Sequence, residues 1–271
     1  MGKVKIKRKS TLIDMTAMSD VTVLLLTFFM LTSTFLAKEP TVVQTPSSVS
    51  EEKVPMNNLV TILVSGQDKP GKAGNPDTEG KIFISFTGDK DSTLSSEHIR
   101  EMMLVEAVKI YNEQHPSAKV ELTPKQIAEF TKLNMFGLPF RGMPQYLDMD
   151  QTKRDKFQGN MEDKNVGIPI DGNKDRNGKL NDFQVWMKAV YNVAQKIHND
   201  QKEAVGGDPA EIKKLENLYT ALMRKGEGIA VKADKNTPYK TVQIVFDNLQ
   251  TMKLNKFSLL TALKSEDEPT N

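Results

Sequence analysis

From Met15 to Ala37 the chain reads MTAMSDVTVLLLTFFMLTSTFLA, a membrane-length hydrophobic run that carries one carboxylate, Asp20. As a helix such a run matches a hydrocarbon core of roughly 30 Å at about 1.5 Å per residue. An Asp costs about 2.5–3.5 kcal/mol near the middle of a bilayer and less toward an edge. A helix that served only as an anchor would be more stable without it. The default reading of such a residue is a proton or ion relay that faces a partner helix or a wet cavity. On a helix, residues three, four and seven apart share a face, which groups Asp20 with Leu24, Thr27, Leu31 and Thr34. Thr27 and Thr34 are therefore candidate supporting polar residues, although threonines in apolar helices also bond to their own backbone. A carboxyl that is neutral against apolar neighbours and ionised against water can carry protons down a gradient worth about 2.3 kcal/mol per charge per 100 mV. The proton is the coupling ion expected, with no cofactor and no metal. One helix with one acid does not make a pathway, so a multi-helix partner is expected around it.

Lys3, Lys5, Lys7, Arg8 and Lys9 precede the run with no acid until Asp14, while Lys38 and Glu39 cancel after it. That asymmetry predicts a cytoplasmic basic tail over 1–12, a transmembrane helix over 13–37 and a C-terminal part across the membrane. A nucleic-acid-binding arm is the rival use of the basic start, but a net charge of +2 over 271 residues gives no general attraction to nucleic acid. Cleavage after Ala37 would put Phe35 where a signal peptidase needs a small residue, so a retained anchor is expected. With no cysteine, the chain has no disulfide, thiol nucleophile or Cys-based metal site.

Residues 38–58 are rich in Pro, Ser, Thr and Glu and read as a flexible tether, about 70 Å long if fully extended. LVTILV (Leu59–Val64) and KIFISF (Lys81–Phe86) read as strands joined by a Gly/Pro/Asp-rich loop, Ser65–Gly80. A helix is expected over about Ser95–Gln114, a strand over Gly228–Asp234, a helix over Thr237–Leu254 and a last strand over Lys256–Leu263. Between about 115 and 225 lies a mostly helical insertion. It holds a helix near Thr123–Asn134, an irregular stretch, a charged linker Gln151–Lys164, an amphipathic helix over Asn181–Gln201 and a helix from Asp208 to Lys225 with a Glu211 capping box. The fold class expected is a single-pass membrane anchor plus an α/β (α+β) domain over 59–265. In it a small mixed sheet carries helices on one face, and 266–271 forms a disordered tail.

The segment IDMTAMSDVTVLLLTFFMLTSTFL (Ile13–Leu36) resembles the hallmark of the ExbD/TolR biopolymer-transport family through Thr16, Met18, Asp20, Val21, Leu24, Leu25, Phe28, Phe29, Met30 and Thr32. Ala17 departs from it, since the family usually has proline there. KADKNTPYKTVQIVFDNLQ near the C-terminus is similar to a stretch of the same family through Ala233, Asp234, Lys235, Tyr239, Val242, Val245, Asp247 and Leu249. The resemblance implies that Asp20 is the proton-translocating residue of a subunit of an inner-membrane motor. It implies further that two such chains, as a homodimer, sit in the lipid bilayer within a ring of ExbB/TolQ-like polytopic subunits. The domain would lie in the periplasm and drive a TonB-like protein for outer-membrane transport. A TolR-like role in envelope maintenance and a plain signal-anchored periplasmic binding module are the alternatives; a flagellar stator of MotB type would need a peptidoglycan-binding motif that is not found.

Asn173, Asp175, Asn177 and Asn181, with Gly178 sixth and Leu180 eighth, imitate a calcium loop. Asn stands at its first place, however, and Gln184 at its twelfth, so a turn into a helix is the expected structure. His98, His115 and His198 have no metal-ligand spacing, and Asp234–Lys235 reads as a strand-end turn. No phosphate loop, nucleophile elbow or paired carboxylate points to an enzyme.

Overall fold

The computed structural model describes residues 15–32, 39–41, 43–48, 59–65, 80–88, 94–171, 178–225, 227–235 and 237–263. The chain divides into two units after Lys38. The first holds one described helix, α1 (Met15–Thr32). In the second, order along the chain is β1 (Ser47–Ser48), β2 (Leu59–Ser65), β3 (Lys81–Thr87), α2 (Ser96–Gln114), α3 (Pro124–Thr131), α4 (Met143–Asp148), α5 (Gln151–Gly159), α6 (Asp182–Ala204), α7 (Pro209–Lys214), α8 (Leu218–Thr220), β4 (Ile229–Ala233), α9 (Tyr239–Thr251), β5 (Ser258–Leu260) and β6 (Ala262–Leu263). The expected tail 1–12 and end 266–271 lie outside the described residues.

Four strands form a mixed sheet in the order β3-β2-β4-β5. β2 runs antiparallel to β3 and parallel to β4, and β4 runs parallel to β5. β2 and β3 read as nearly continuous apolar runs because both faces of the sheet are covered. Val60, Ile62, Val64, Ile82, Ile84 and Phe86 join the main core with residues of α2, α6 and α9. Leu63 and Phe83 are fully buried on the opposite face by Met161 and Val166, with Val43, Met135 and Phe157 packed alongside. The expectation of helices on one face is thus corrected: α5 and the turn after it cover the other. The charged stretch 151–164, expected as a linker because it carries no apolar stripe, holds α5. It folds because Asp150 caps α5 by accepting from the Lys153 amide, and because Arg154 reaches Glu129 of α3.

Glu129 is held far below the usual carboxylate value, at about 2, by hydrogen bonds from Lys132 and Arg154 to its charged form. A carboxyl with a depressed folded value contributes stability above its unfolded value of about 4.5, and that contribution is lost as pH falls toward about 2. Glu129→Gln is therefore expected to flatten the acid limb of a far-UV circular dichroism titration within that window. Superimposable acid limbs would contradict the pairing.

Reciprocal caps place the insertion helices where the sequence predicts them. Thr123 and Gln126 box the start of α3, behind Pro124, and Asn181 and Gln184 box the start of α6. α6 ends at Gly206 and Gly207, both at positive φ, where their amides bond to Glu203 and Lys202 carbonyls in a Schellman turn. α9 ends in the same turn with Lys253 at φ 60°, an uncommon choice that leaves no glycine signal in the sequence. The helix expected over 208–225 breaks after Lys214. Leu215 turns extended, and Asn217 and Thr220 open α8 with a capping box of their own before a π turn over Ala221–Lys225. Glu211 completes no box; it pairs with Lys214 while Asp208 caps through the Ala210 amide.

The tether expected over 38–58 is bound to the domain in its described part. Lys232 of β4 pairs with Glu39 at 2.7 Å, Thr41 is buried, and Val43 packs near Leu63 and Phe83. The Gln44 amide donates to the Asp234 carboxylate at 3.0 Å, and the Lys235 amide donates to the Gln44 carbonyl at 2.7 Å. β1 then pairs in parallel with β6, Ser47 with Ala262 and Ser48 with Leu263. Backbone bonds of this kind need no apolar pattern, which is why a polar stretch with few apolar residues can still dock.

Candidate functional site: Asp20 on the N-terminal helix

Asp20 stands in the second turn of α1, and all the described side chains of this helix are exposed. At about 1.5 Å per residue, its 18 residues span about 27 Å. Among the described residues no helix is long and apolar enough to cross a membrane. Of the expected span 13–37, residues 13–14 and 33–37 lie outside the described set, and Thr34 with them.

The hydroxyls on this helix bond mainly to its own backbone. Ser19 donates to the Met15 carbonyl at 2.8 Å, Thr22 donates to Met18, and Thr27 donates to Leu24 at 2.9 Å. Thr27 therefore shares the Asp20 face by spacing while its proton is committed to the carbonyl of Leu24, leaving only its oxygen lone pairs to accept. Thr16 stands one turn before Asp20 on the same face, and the i−4 spacing is the signal that picks it out. What this helix offers chemically is one carboxylate on an apolar surface, able to take up and release a proton once a partner supplies water or a second polar wall.

In the second unit the structure brings the other candidate residues to separate places. Asp234 is buried, accepts from Gln44, and donates its own amide to the Val64 carbonyl at 3.1 Å. It is a clamp for the segment before β1 rather than an exposed reactive group. His98 lies 3.9 Å from Glu101 on an exposed face. His115 stacks on Tyr111 with ring centroids 4.3 Å apart, and His198 stacks on Tyr219 at 4.9 Å. Among the described residues no group of His, Cys, Asp or Glu could hold a metal ion. The calcium-loop imitation lies only in part among the described residues. Asn181 and Gln184, its ninth and twelfth places, spend their side chains on the box at the start of α6, while 172–177 lie outside the described residues. A cavity of about 150 Å³ near this turn is lined by His115, Ile170, Asp171, Asn181 and Asp182. Asp171 accepts from Asn181 there and Asp182 from the Phe140 amide, so both carboxylates serve the packing.

Sequence reasoning did not single out two buried groups, Arg100, which holds the insertion to the sheet, and Tyr146, which packs on Phe157 within the insertion. Arg100 of α2 donates to the carbonyls of Phe86 at 3.2 Å and Thr131 at 2.8 Å, and burial lowers its pKa, opposed by the nearby charge of Glu97. Tyr146 of α4 is pushed up to about 12, chiefly by burial.

The family model for biopolymer transport protein ExbD/TolR matches residues 7–135, which takes in α1, β2, β3, α2 and α3. That match, over somewhat less than half of the chain, supports an ExbD/TolR family assignment. Proteins of this family are non-enzymatic accessory proteins of biopolymer transport with an energy-transducing role, typically associated with the inner membrane, and they work with ExbB/TolQ and TonB/TolA partners. The match includes Asp20 and ends at Met135, so the similar stretch around Asp234 and Tyr239 lies beyond it. No curated protein and no solved structure matches the chain.

Proposed function

We propose that this chain is the proton-coupled subunit of an ExbB–ExbD–TonB-like inner-membrane motor, with Asp20 as the residue that takes up and releases the proton. The helix carrying Asp20 crosses the membrane with its basic tail in the cytoplasm, and the second unit lies in the periplasm. Two copies sit within a ring of ExbB/TolQ-like subunits and pass motion to a TonB-like protein that serves outer-membrane transport. The observation that carries this reading is the placement of a lone carboxylate within a helix of apolar, outward-facing side chains, inside the residues the family model matches. An ionisable group on a lipid-facing surface is costly unless partner helices enclose it. The C-terminal stretch from Ala233 to Leu249 adds support, because it folds as the strand end and helix that its resemblance implies.

Solubilisation in mild detergent and purification through a C-terminal tag tests the assembly. A polytopic partner at several copies per two copies of this chain is expected to co-purify. A chain recovered alone, from membranes that contain such a partner, contradicts the proposal.

A further inference from the structure

β3 is an edge strand of the sheet, and its outer side is already occupied by the chain itself. In an antiparallel ladder alternate residues turn their backbone groups away from the partner strand. Ile84 bonds outward, donating to Phe136 at 2.8 Å and accepting from it at 3.0 Å, so Ile82, Ile84 and Phe86 are the outward set. The Ile82 carbonyl accepts from the Ile168 amide at 2.8 Å, and the Phe86 carbonyl accepts from Arg100 Nε at 3.2 Å. Two side chains of the strand hold the same segment, Ser85 through the Asn134 carbonyl and Lys81 through the Asp163 carbonyl.

The approach is too close for any residue but glycine at its middle. A Cβ on Gly137 would stand 2.4 Å from Phe83 Cδ1 and 2.7 Å from the Ile82 carbonyl oxygen. Gly167 holds φ +94° and donates to the Gly137 carbonyl at 2.9 Å, tying the two arms of the segment together. Uncovered, β3 would present KIFISF, an apolar run of high strand propensity with unpaired backbone groups along one side. The same strand of a second copy is its natural complement, since an antiparallel pair of identical strands about a two-fold axis closes on itself.

We propose that Asn134–Ile168 is an edge cap held within the chain, which occupies the positions on β3 that a second copy of this chain would otherwise take. The insertion thereby bars self-association through β3. Any pairing of the domain with a second copy must use another surface.

The chain has no cysteine, so one introduced thiol reports one place. Full-length Ser85→Cys, oxidised in mild detergent, is expected to give only background disulfide dimer while the cap is seated. Adding Gly137→Val drives a branched side chain into Phe83 and lifts the cap, and the dimer is expected to rise severalfold. Phe136 lies 4.8 Å from the only tryptophan, Trp186, so a red shift of its emission reports that the cap has left. Ile168→Pro removes the donor to Ile82 without added bulk at Phe83. It decides the matter if the valine variant loses its native circular dichroism. Strong dimer formation by Ser85→Cys alone overturns the proposal. So does a dimer yield that stays at background in a folded variant whose Trp186 emission has shifted.

Discussion

Asp20→Asn is expected to abolish energised outer-membrane uptake while leaving the chain in the membrane and its assembly intact. Asparagine keeps the shape and much of the hydrogen bonding of the carboxyl but cannot titrate, so it removes proton exchange and little else. It also relieves the cost of placing an ionisable group on an apolar helix, so expression is expected to hold or rise. Asp20→Glu keeps titration while moving the carboxyl by one methylene, and partial uptake is expected from it. Uptake is measured with the transported substrate in cells that carry each variant as the sole copy. The pattern of loss with Asn and partial function with Glu separates proton transfer from a merely structural carboxylate. A signal-anchored binding module would lose nothing in either variant.

Trp186→Ala is expected to destabilise the second unit by about 3–5 kcal/mol, the cost of emptying a large aromatic site in a core. The indole is fully buried and sits between Phe140 at 5.1 Å, Phe136 at 4.8 Å, Phe86 at 5.8 Å and Phe130 at 6.0 Å. Those rings come from β3, from α3 and from the segment that caps β3, so one side chain joins sheet and insertion. Its Nε1–H is buried with no acceptor among the described residues, and the four rings around it supply its contacts. Trp186→Phe therefore costs less than the alanine change, because it removes an unsatisfied donor along with some of the volume. The midpoint of urea unfolding of the full chain, followed by far-UV circular dichroism, measures both. A loss below about 1 kcal/mol for the alanine variant would mean that the insertion does not fold with the sheet.

The elements legible in the sequence are those with a period or a cap. β2 and β3 announce themselves as apolar runs between turn residues, α3 by Pro124 ahead of Ile127 and Phe130, and α6 by Phe183, Trp186, Val190, Val193 and Ile197 at helical spacing. What stayed hidden is held by backbone and charge. α5 has no apolar stripe and is fixed by Asp150, Arg154 and Phe157; the described residues before β1 dock through the backbone N–H and C=O of Gln44 and the charge of Glu39. The closure of β3 rests on an isolated bridge at Phe136 and a single hydrogen bond from Ile168, which leave no alternation to read, and on Gly137, which looks like any loop glycine. The carboxylate of the candidate site is legible in the sequence, because in an apolar run it has a cost that sets it apart. Its surroundings are less so. Thr27 gives its proton to the helix backbone, and Thr34 lies outside the described residues.

The most direct test is proton flux through the purified assembly of this chain with its polytopic partner, reconstituted in vesicles bearing a pH-sensitive dye inside. An imposed pH gradient is expected to dissipate faster than in empty vesicles with wild-type chain, and at the rate of empty vesicles with Asp20→Asn. Equal flux from the two assemblies would contradict the role given to Asp20.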